Sequence, residues 1–415
     1  MSEIKLIPEE DFDDLITIVA NAYPGFEISK EEDRQKMKER LLKMQNEDEV
    51  RHLYGLYREG NLLGGMILFD FQLRLFSVKT LAGGVGLVAV DLLHKREKVC
   101  KDMITFFVNH YKEKGACMTL LYPFRPDFYK EMGFGFGTKM HQYRLTPQQL
   151  PKGEKSTIQF IDSNEKQAII DCYNRYAEKT HGMIEDDGNQ LGRFLDNPDF
   201  RVICYKKGDK ILGYLVFTFK KGGEESFIIN DIHVEEFVYE TREALTGLLT
   251  FLHSQKDQIR YIIIDTQDEY FHSLLPDPRN DSDLLIPSVY HVCHTSGVGL
   301  MYRVMDVEKF FAVLKDHNFG NQNCALKICV QDSFHKENEG DTIIHFKDGK
   351  PHLGKKDYEI EISLDISEFS SLVMGVIPFK QLYRYGLADI SDVNRIDVVD
   401  ALFRTEEKPV CTTRF

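Results

Sequence analysis

The chain has 415 residues, which corresponds to about two to four domains of ordinary size and excludes a single small module. Hydrophobic residues make up 42% of it, including 29 Phe and 19 Tyr, so it can fill large cores and is not a disordered chain. Its net charge of −14 disfavours nucleic acid as a partner and favours cationic partners.

Membrane, secretory and metal-binding functions have no support in the sequence. No apolar run reaches the roughly 18–20 residues of a membrane helix, and the acidic start lacks the apolar stretch of a secretory signal. The 8 cysteines include no CxxC pair, and the 14 histidines show no HxxxH or HxH spacing. We therefore expect a cytoplasmic protein with reduced, mostly buried thiols, no metal site and no membrane partner.

Two similar segments, 56–71 and 204–219, align without a gap at an offset of 148 residues. Glycines coincide at Gly65 and Gly213, and each segment predicts two strands joined by a turn at Gly-Asn or Gly-Asp. Two unrelated hairpins of similar composition are the alternative. An ungapped match of this length favours a duplicated domain.

Each predicted hairpin is followed by a strand–helix–strand pattern, which indicates a parallel or mixed sheet in both halves. The segments are 85–90, a helix from about residue 94 and 116–123 in the first half, and 227–234, 240–255 and 259–266 in the second.

From about Arg303 the pattern changes to an α+β module with its own core. An amphipathic helix over 304–314 precedes short strands separated by Gly-Asp and Asp-Gly turns, and further helical patterns lie around 367–375 and 383–390. The sequence thus predicts three domains, at 1–150, 151–302 and 303–415.

A basic cluster marks the predicted junction between strand 85–90 and the helix after it. His94, Lys95, Arg96 and Lys98 crowd this turn in an otherwise acidic chain. Free backbone N–H groups and the positive end of the dipole make a helix start an anion site, and cations there indicate an anionic ligand such as phosphate. A solvated basic turn is the alternative. The equivalent stretch of the second half is acidic, with Glu235, Glu236, Glu240 and Glu243.

The segment 128–134, FYKEMGF, predicts a short helix that ends at Gly133 before an apolar strand. Tyr129 follows strand 116–123 on the side where the basic turn emerges. Its phenol can act as a hydrogen-bond donor or general acid. The alternative is a packed ring with a satisfied hydroxyl.

Two of these segments resemble motifs of the GNAT N-acetyltransferases: the acyl-CoA pyrophosphate motif in VAVDLLHKREKVCKDMI (88–104) and a later element in FYKEMGF. The duplicated unit followed by an α+β tail is similar to the enhanced-intracellular-survival (Eis) acetyltransferases, whose third domain resembles sterol carrier proteins, as 324–350 does here. The resemblance covers the chain in order. It implies an α/β and α+β fold: a catalytic and then a degenerate GNAT-like mixed-sheet domain in tandem, followed by a sterol-carrier-protein-like domain.

The resemblance implies acetyl-CoA as co-substrate and an amine-bearing small molecule or peptide as acceptor. The N–H of Val88 would donate to the thioester oxygen, and Tyr129 would protonate the departing CoA thiolate. The implied cofactor-binding residues are Val88, Ala89, Val90, Arg96, Glu97, Lys98, Val99, Cys100, Lys101, Phe124 and Arg125.

The chain ends in Phe415, as Eis-type enzymes end in phenylalanine, and in those enzymes the free carboxylate enters the active site as base. A terminal carboxylate has a pKa of roughly 3.5, so it is ionised and can deprotonate an ammonium directly or through water. The alternative for Phe415 is a frayed end.

Departures from the family pattern bear on the function. Lys98 occupies the position of the motif's glycine, which lets the backbone approach a pyrophosphate closely. Leu92 replaces its proline, and Lys95 replaces its first arginine. Aminoglycoside-acetylating relatives use acidic residues in the acceptor cavity. Here Arg414 precedes the terminus and 22–26 contains no acid, which weakens an assignment to aminoglycosides.

The predicted reaction is acetyl transfer to a primary amine of a polycationic small molecule or lysine-bearing peptide, by direct attack in a ternary complex. One alternative is a non-catalytic acyl-CoA- or lipid-binding protein built on degenerate GNAT units, which Lys98 favours. Another is an assembly scaffold, since Eis-like proteins form ring oligomers. Tyr129 and Phe415 together favour the enzyme. The resemblance also implies a homo-oligomer, either a hexamer or a trimer.

Overall fold

The chain forms two seven-stranded sheets and one five-stranded sheet with helices packed against them, as seen in a computed structural model. The structure describes residues 2–26, 28, 30–161, 163–186, 188–222, 228–282, 285–286 and 288–415. No helix within those residues is long and apolar enough to cross a lipid bilayer.

The first third of the chain supplies most of the first sheet. Its elements are β1 (Ser2–Leu6), α1 (Phe12–Ala22), α2 (Glu31–Glu47), β2 (Arg51–Arg58), β3 (Asn61–Leu75), β4 (Val78–Val90), α3 (Val99–Glu113), β5 (Met118–Leu121), α4 (Pro126–Lys130) and β6 (Gly135–Phe136).

The middle third supplies the second sheet and one strand of the first. Its elements are β7 (Met140–Leu145), β8 (Ile158–Phe160), α5 (Lys166–Lys179), α6 (Asn189–Leu195), β9 (Arg201–Lys207), β10 (Lys210–Lys221), β11 (Asn230–Tyr239), α7 (Arg242–His253), β12 (Ile259–Thr266), β13 (Leu285–Ile286), β14 (Tyr290–His291), β15 (Thr295–Gly297) and β16 (Met301–Val304).

The last third forms a five-stranded sheet of order β19-β18-β17-β20-β21. Its elements are α8 (Val307–Val313), β17 (Cys324–Gln331), β18 (Gly340–Lys347), β19 (Lys350–His352), β20 (Ile360–Asp365), α9 (Ile366–Val373), α10 (Phe379–Arg384), β21 (Ala388–Ile390) and α11 (Ile396–Phe403).

The two large sheets complete each other. The first has the order β1-β2-β3-β4-β5-β16-β6, so a strand from the middle third lies between β5 and β6. The second has the order β15-β7-β12-β11-β10-β9-β8, so β7 lies beside β12. In these pairings Met301 is opposite Leu121 and Leu145 is opposite Ile262, both antiparallel. Each large sheet therefore contains one strand from the other side of the predicted boundary at residue 150, β16 in the first sheet and β7 in the second.

Both predicted hairpins are confirmed, as β2–β3 and β9–β10, and both helices cross between parallel strands as expected. The turn of the first hairpin lies one residue earlier than predicted. Arg58 pairs with Asn61, and the turn residues Glu59 and Gly60 have φ angles of 53° and 85°. Two positive φ angles match the twist of a two-residue hairpin turn. The second hairpin turns at Gly208-Asp209, as predicted.

Several segment ends differ from the sequence prediction. The strand predicted at 227–234 is β11, which begins at Asn230 and runs on to Tyr239, and Phe227 lies outside the described residues. The helix predicted over 304–314 begins only at Val307, because Asp306 caps it by accepting the N–H of Lys309 at 2.8 Å. The stretch 383–390 is not helical throughout. Gly386, with φ of 69°, follows α10, and the chain then enters β21.

The last third is attached to the first sheet through α9. The hydroxyl of Ser370 accepts the N–H of Val304 at 2.9 Å, and the hydroxyl of Ser371 donates to the carbonyl of Phe136 at 2.9 Å. Beside these bonds Arg303 and Asp332 form a fully buried ion pair at 2.6 Å. Polar groups buried at a contact are stable only with their partners, so this contact has a defined geometry.

Candidate active site

A cavity of about 1130 Å³ lies against β3 and β4 of the first sheet. Helix α2, the residues around Tyr23, the stretch from Leu121 to Phe124 with Tyr129, residues of 184–186 and α6, and the last three residues of the chain also line it. Of the residues predicted from sequence, Val88, Phe124, Tyr129 and Phe415 line it, and the others do not. Residues from all three predicted domains therefore meet in one space.

A bulge in β4 brings backbone groups to the cavity. Gly65 pairs with Ala89 but Ile67 pairs with Gly86, so Leu87 and Val88 together face one residue of β3. Leu87 accordingly has a φ of 47°. An extra residue in one strand interrupts the ladder and redirects its peptide groups, a feature frequent beside active sites.

Tyr23, directly after α1, forms a hydrogen bond with this bulge. Its hydroxyl donates to the carbonyl of Val88 at 2.8 Å. Burial, and then Cys100, raise the pKa of Tyr23, so the phenol keeps its proton and acts as a donor. Sequence analysis missed this residue. Its only signal was an aromatic ring in the loop after the first helix.

The basic cluster lies in a loop and not on a helix. After Val90 the chain makes a 3₁₀ turn at Leu92–His94, and α3 begins only at Val99. Arg96 and Lys98 have φ angles of 70° and 65°, so the expectation that Lys98 is helical is wrong. Left-handed residues before a helix orient successive N–H groups toward one point, an arrangement that binds anions.

The two halves differ at this helix start. In the first half no side chain caps α3, whereas in the second half the hydroxyl of Thr241 accepts the N–H of Ala244 at 3.2 Å and caps α7. A helix start without a side-chain cap leaves first-turn N–H groups for a ligand or water. This difference fits a pyrophosphate site at Arg96–Lys101 of the first half only.

Replacing Lys98 by glycine tests the strained loop. Glycine adopts positive φ freely, whereas any residue with a Cβ pays about 1 kcal/mol there. We expect Lys98→Gly to unfold with a free energy about 1 kcal/mol above that of the matched variant Lys98→Ala, which loses the same charge but keeps the strain. Thermal unfolding measures the difference, and calorimetric titration with CoA shows whether the relaxed loop binds more tightly. Equal stability of the two variants would contradict the assigned conformation.

Tyr129 is packed into the cavity wall. It is 2% exposed, and its ring lies 5.6 Å from that of Phe124. Burial raises its pKa, and Cys100 and Tyr23 raise it further, so the phenol remains a proton donor. Burial also raises the pKa of Cys100 to about 11, which makes this thiol a packing residue. Arg125 is exposed and pairs with Asp127 at 2.5 Å, away from the cavity.

The end of the chain lines the cavity and is held there by ring contacts. The ring of Phe415 contacts those of Phe69, Phe71 and Tyr122, with centroids 4.7–5.3 Å apart. A Cβ added to Gly86 would lie 3.1 Å from the carboxyl carbon of Phe415, so the lack of a side chain there makes room for the terminal carboxylate. The terminus is therefore packed. It lies beside Gly86, which is two residues before Val88 on β4.

The second half anchors the residues before Phe415. The hydroxyl of Thr412 donates to Glu236 at 3.1 Å, Arg414 pairs with Glu235 at 3.1 Å, and the N–H of Cys411 donates to Gln267 at 2.6 Å. These bonds stop the tail from fraying.

Both glutamates lie at a bulge of β11. Val216 pairs with Glu236, and Phe217 pairs with Val234. The offset of 148 aligns these glutamates with Leu87 and Val88, so they belong to the strand. Sequence analysis had placed them in the counterpart of the basic turn, which is wrong. The tail thus runs from one bulge to the other.

Glu236 gives the tail a pH dependence. Its side chain is buried, and burial raises its pKa to about 8, while the bond from Thr412 opposes this rise. A folded-state pKa above the unfolded value of roughly 4.3 means that stability is greatest at low pH and is lost as pH rises toward about 8.

We expect the thermal midpoint of the wild type to fall relative to that of Glu236→Gln between pH 5 and about pH 8. Glutamine keeps a polar partner for Thr412 without the ionisation. The exposed Glu154→Gln serves as control, and its midpoint should follow the wild type at each pH. Parallel curves for the wild type and Glu236→Gln would contradict the raised pKa.

Comparison with known proteins agrees with this geometry. Family profiles described as acetyltransferase (GNAT) domains match residues 3–137 and 181–304, and a sterol carrier protein domain profile matches 307–412. No curated protein matches by sequence.

The solved structures that match 100% of this chain and are themselves covered fully include three with TM-scores of 0.78–0.83. They are a GCN5-related N-acetyltransferase from Anabaena variabilis (16% identity, TM-score 0.83), a conserved protein of unknown function from Enterococcus faecalis V583 (18%, 0.81) and Eis1 from Mycobacterium abscessus (18%, 0.78). At identities this low, the similarity of the structures shows a shared fold and nothing about the reaction.

The chain therefore belongs to the GNAT acetyltransferases, because profiles of that superfamily match both mixed-sheet halves and together span more than half of its length. Within that class it has the Eis-type arrangement, two GNAT domains followed by a sterol carrier protein domain, and it shares this fold with Eis1 over the full chain. The predicted fold class is confirmed.

Proposed function

We propose that this protein is an acetyl-CoA-dependent N-acetyltransferase that transfers acetyl to a primary amine by direct attack in a ternary complex. In this proposal residues 1–150 bind acetyl-CoA, 151–302 form a degenerate GNAT domain, and 303–415 deliver the terminus. The observation that carries the proposal is that Tyr129, the bulge at Val88 and the terminal carboxylate of Phe415 line one cavity.

The first half offers two groups of donors for acetyl-CoA. Its uncapped helix start and the left-handed residues Arg96 and Lys98 fit a pyrophosphate, since they combine backbone N–H groups with positive charge. The bulge at Val88 would offer its N–H to the thioester oxygen, where negative charge develops as the amine attacks.

Two groups would move protons. The Phe415 carboxylate would accept a proton from the acceptor's ammonium, which frees the nitrogen lone pair to attack the thioester carbon. As the carbon–sulfur bond breaks, the phenol of Tyr129 would give its proton to the sulfur, and the second proton that the nitrogen loses on becoming an amide would restore the phenol. The raised pKa of Tyr129 fits a group that starts as the acid.

The polycationic acceptor expected from sequence has little support in this cavity. Its wall includes Lys36, Arg40 and Arg193, and these cations would repel a second or third ammonium. An amine on a small molecule or a lysine side chain remains the proposed acceptor. A homo-oligomer is proposed on the family resemblance and a cytoplasmic location on the sequence composition. Analytical ultracentrifugation tests the oligomer.

Release of CoA thiol from acetyl-CoA, with the rate without acceptor subtracted, tests the proposed function over aminoglycosides, polyamines, lysine peptides and amino acids. Amine-dependent release is expected. Binding of acetyl-CoA without release for any amine would favour the alternative of a non-catalytic acyl-CoA-binding protein. Absence of acetyl-CoA binding would overturn the assignment of the co-substrate.

A further inference from the structure

Three cations on the cavity wall lack a carboxylate partner in the described part of the chain. They are Lys36 and Arg40 of α2 and Arg193 of α6, for which no ion pair within 4.0 Å exists among the described residues. The other lining cations are neutralised: Arg51 by Asp48, Lys79 by Glu185 and Arg414 by Glu235.

The acidic residues of the same wall are mostly engaged elsewhere. Asp70 accepts from the hydroxyl of Tyr111 at 2.8 Å and from Lys114 at 2.7 Å. Burial works to raise the pKa of Asp70, but these two bonds outweigh it and hold the pKa below its ordinary range. Asp186 accepts the N–H of Leu191 at 2.9 Å at the start of α6. The bond from a backbone N–H leaves the charge of Asp186 in place, and Asp33 has no ion pair within 4.0 Å among the described residues. The wall therefore presents unpaired cations together with a few unpaired carboxylates, one of which is the terminal carboxylate of Phe415.

The guanidinium groups are close enough to disfavour one another. Burial lowers the pKa of Arg193, Arg51 and then Arg40 lower it further, and the carboxylates of Asp186 and Glu236 oppose this effect without cancelling it. These cations repel one another, and a bound anion would reduce that repulsion. Because Arg40 and Arg193 are exposed to solvent, an anion can reach them. Planar guanidinium groups bind carboxylate and phosphate through paired N–H bonds.

The strand register gives the backbone distance to the chain terminus from Arg51, which lies near Arg193. Arg51 on β2 lies opposite Phe69 on β3, whose ring is 5.3 Å from that of Phe415. The carboxyl of Phe415 lies at Gly86 on β4. Neighbouring strands are about 4.8 Å apart, so the backbones of β2 and β4 are about 10 Å apart. Apolar side chains, among them Ile67 and Met44, line the same cavity.

We infer that the acceptor is an amine that also carries a carboxylate or phosphate, which Arg40 and Arg193 bind while the ammonium lies at the carboxylate of Phe415. This inference rests on the proposed function and specifies its substrate class. The acceptor has opposite charges at its two ends and an apolar body of a few ångströms between them. A carboxylate and a phosphate share the chemistry that the cluster recognises.

Matched probes test the inference. They are 5-aminopentanoate with its amide, and 4-aminobutyl phosphate with 4-aminobutanol, each offered with the full-length protein. Calorimetry with the CoA-loaded protein measures binding, and CoA-thiol release from acetyl-CoA measures turnover. We expect the affinity for an anionic probe, and its kcat/KM, to be at least about tenfold higher than those of its neutral partner. Comparison of the two pairs shows which anion is preferred.

Arg40→Gln and Arg193→Gln are expected to remove that preference, so that each variant turns over the anionic and the neutral probe of a pair with about equal kcat/KM. Lys38→Gln is the matched control, because Lys38 lies on the same helix but pairs with Asp13 outside the cavity. Unequal binding without turnover of any probe would leave the anion site standing and count against the proposed function. Turnover that is equal for acid and amide, or binding that neither variant changes, would overturn the anion site alone. Absence of binding by all four probes would also overturn it.

Discussion

Extending the chain by one glycine beyond Phe415 is expected to lower kcat by a factor of about 100 to 10,000 and to leave acetyl-CoA binding nearly unchanged. The extension replaces the carboxylate at Gly86 by a neutral amide and moves the charge by one residue. An amide cannot accept a proton from an ammonium at neutral pH. Steady-state release of CoA thiol measures kcat, and calorimetry with acetyl-CoA measures binding.

Phe415→Leu is the matched control for that experiment. It keeps the terminal carboxylate but loses the ring contacts with Phe69, Phe71 and Tyr122. A loss much smaller than that of the extended protein separates proton transfer from packing. The thermal midpoints of both proteins show whether the tail stays in place on Glu236. Full turnover by the extended protein would remove this carboxylate from the mechanism.

Tyr129→Phe is expected to lower kcat by a factor of about 100 or more, with little change in the affinity for acetyl-CoA. The substitution removes one oxygen and keeps the ring that packs at 5.6 Å from Phe124 and 6.1 Å from Phe134. Without the phenol proton, CoA would have to leave as an unprotonated thiolate. The burial that raises the pKa of Tyr129 also predicts that kcat shows no titration of this group at neutral pH.

Tyr54→Phe provides a comparison outside the cavity, because Tyr54 packs against Phe106 and His110 on another part of the first sheet. It should turn over like the wild type. If Tyr129→Phe also matched the wild type, another group or water would have to protonate the thiolate. A solvent isotope effect on kcat that Tyr129→Phe abolishes would assign the transfer to this hydroxyl.

Local patterns in the sequence carried much of the fold. The duplicated hairpins, the helices that cross between parallel strands and the short segment around Tyr129 are each encoded within a few dozen residues. Alternating apolar residues and turn glycines specify such units before any distant contact forms. For the same reason the candidate residues Val88, Tyr129 and Phe415 could be named without coordinates.

Contacts between distant segments were beyond that reasoning. Tyr23 and Val88 are 65 residues apart in sequence, and only the fold shows that the hydroxyl of Tyr23 donates to the carbonyl of Val88 at the bulge. The offset of 148 aligns Glu236 with Val88, but only the strand pairings show that both residues lie at bulges. The cluster of Lys36, Arg40 and Arg193 likewise combines α2 with α6. The charges in the acceptor cavity therefore could not be predicted from residues 22–26 and Arg414 alone.

The place of β16 between β5 and β6 has a consequence for synthesis on the ribosome. About 180 residues separate the end of β5 at Leu121 from the start of β16 at Met301. At roughly 5–20 residues per second this interval lasts roughly 10–40 s. Throughout it β5 has an open edge, and unpaired edges recruit strands from other nascent chains. The cavity wall at Leu121 and Tyr122 is therefore among the last parts of the first sheet to form, and crowded polysomes are where this protein is most exposed to misassembly.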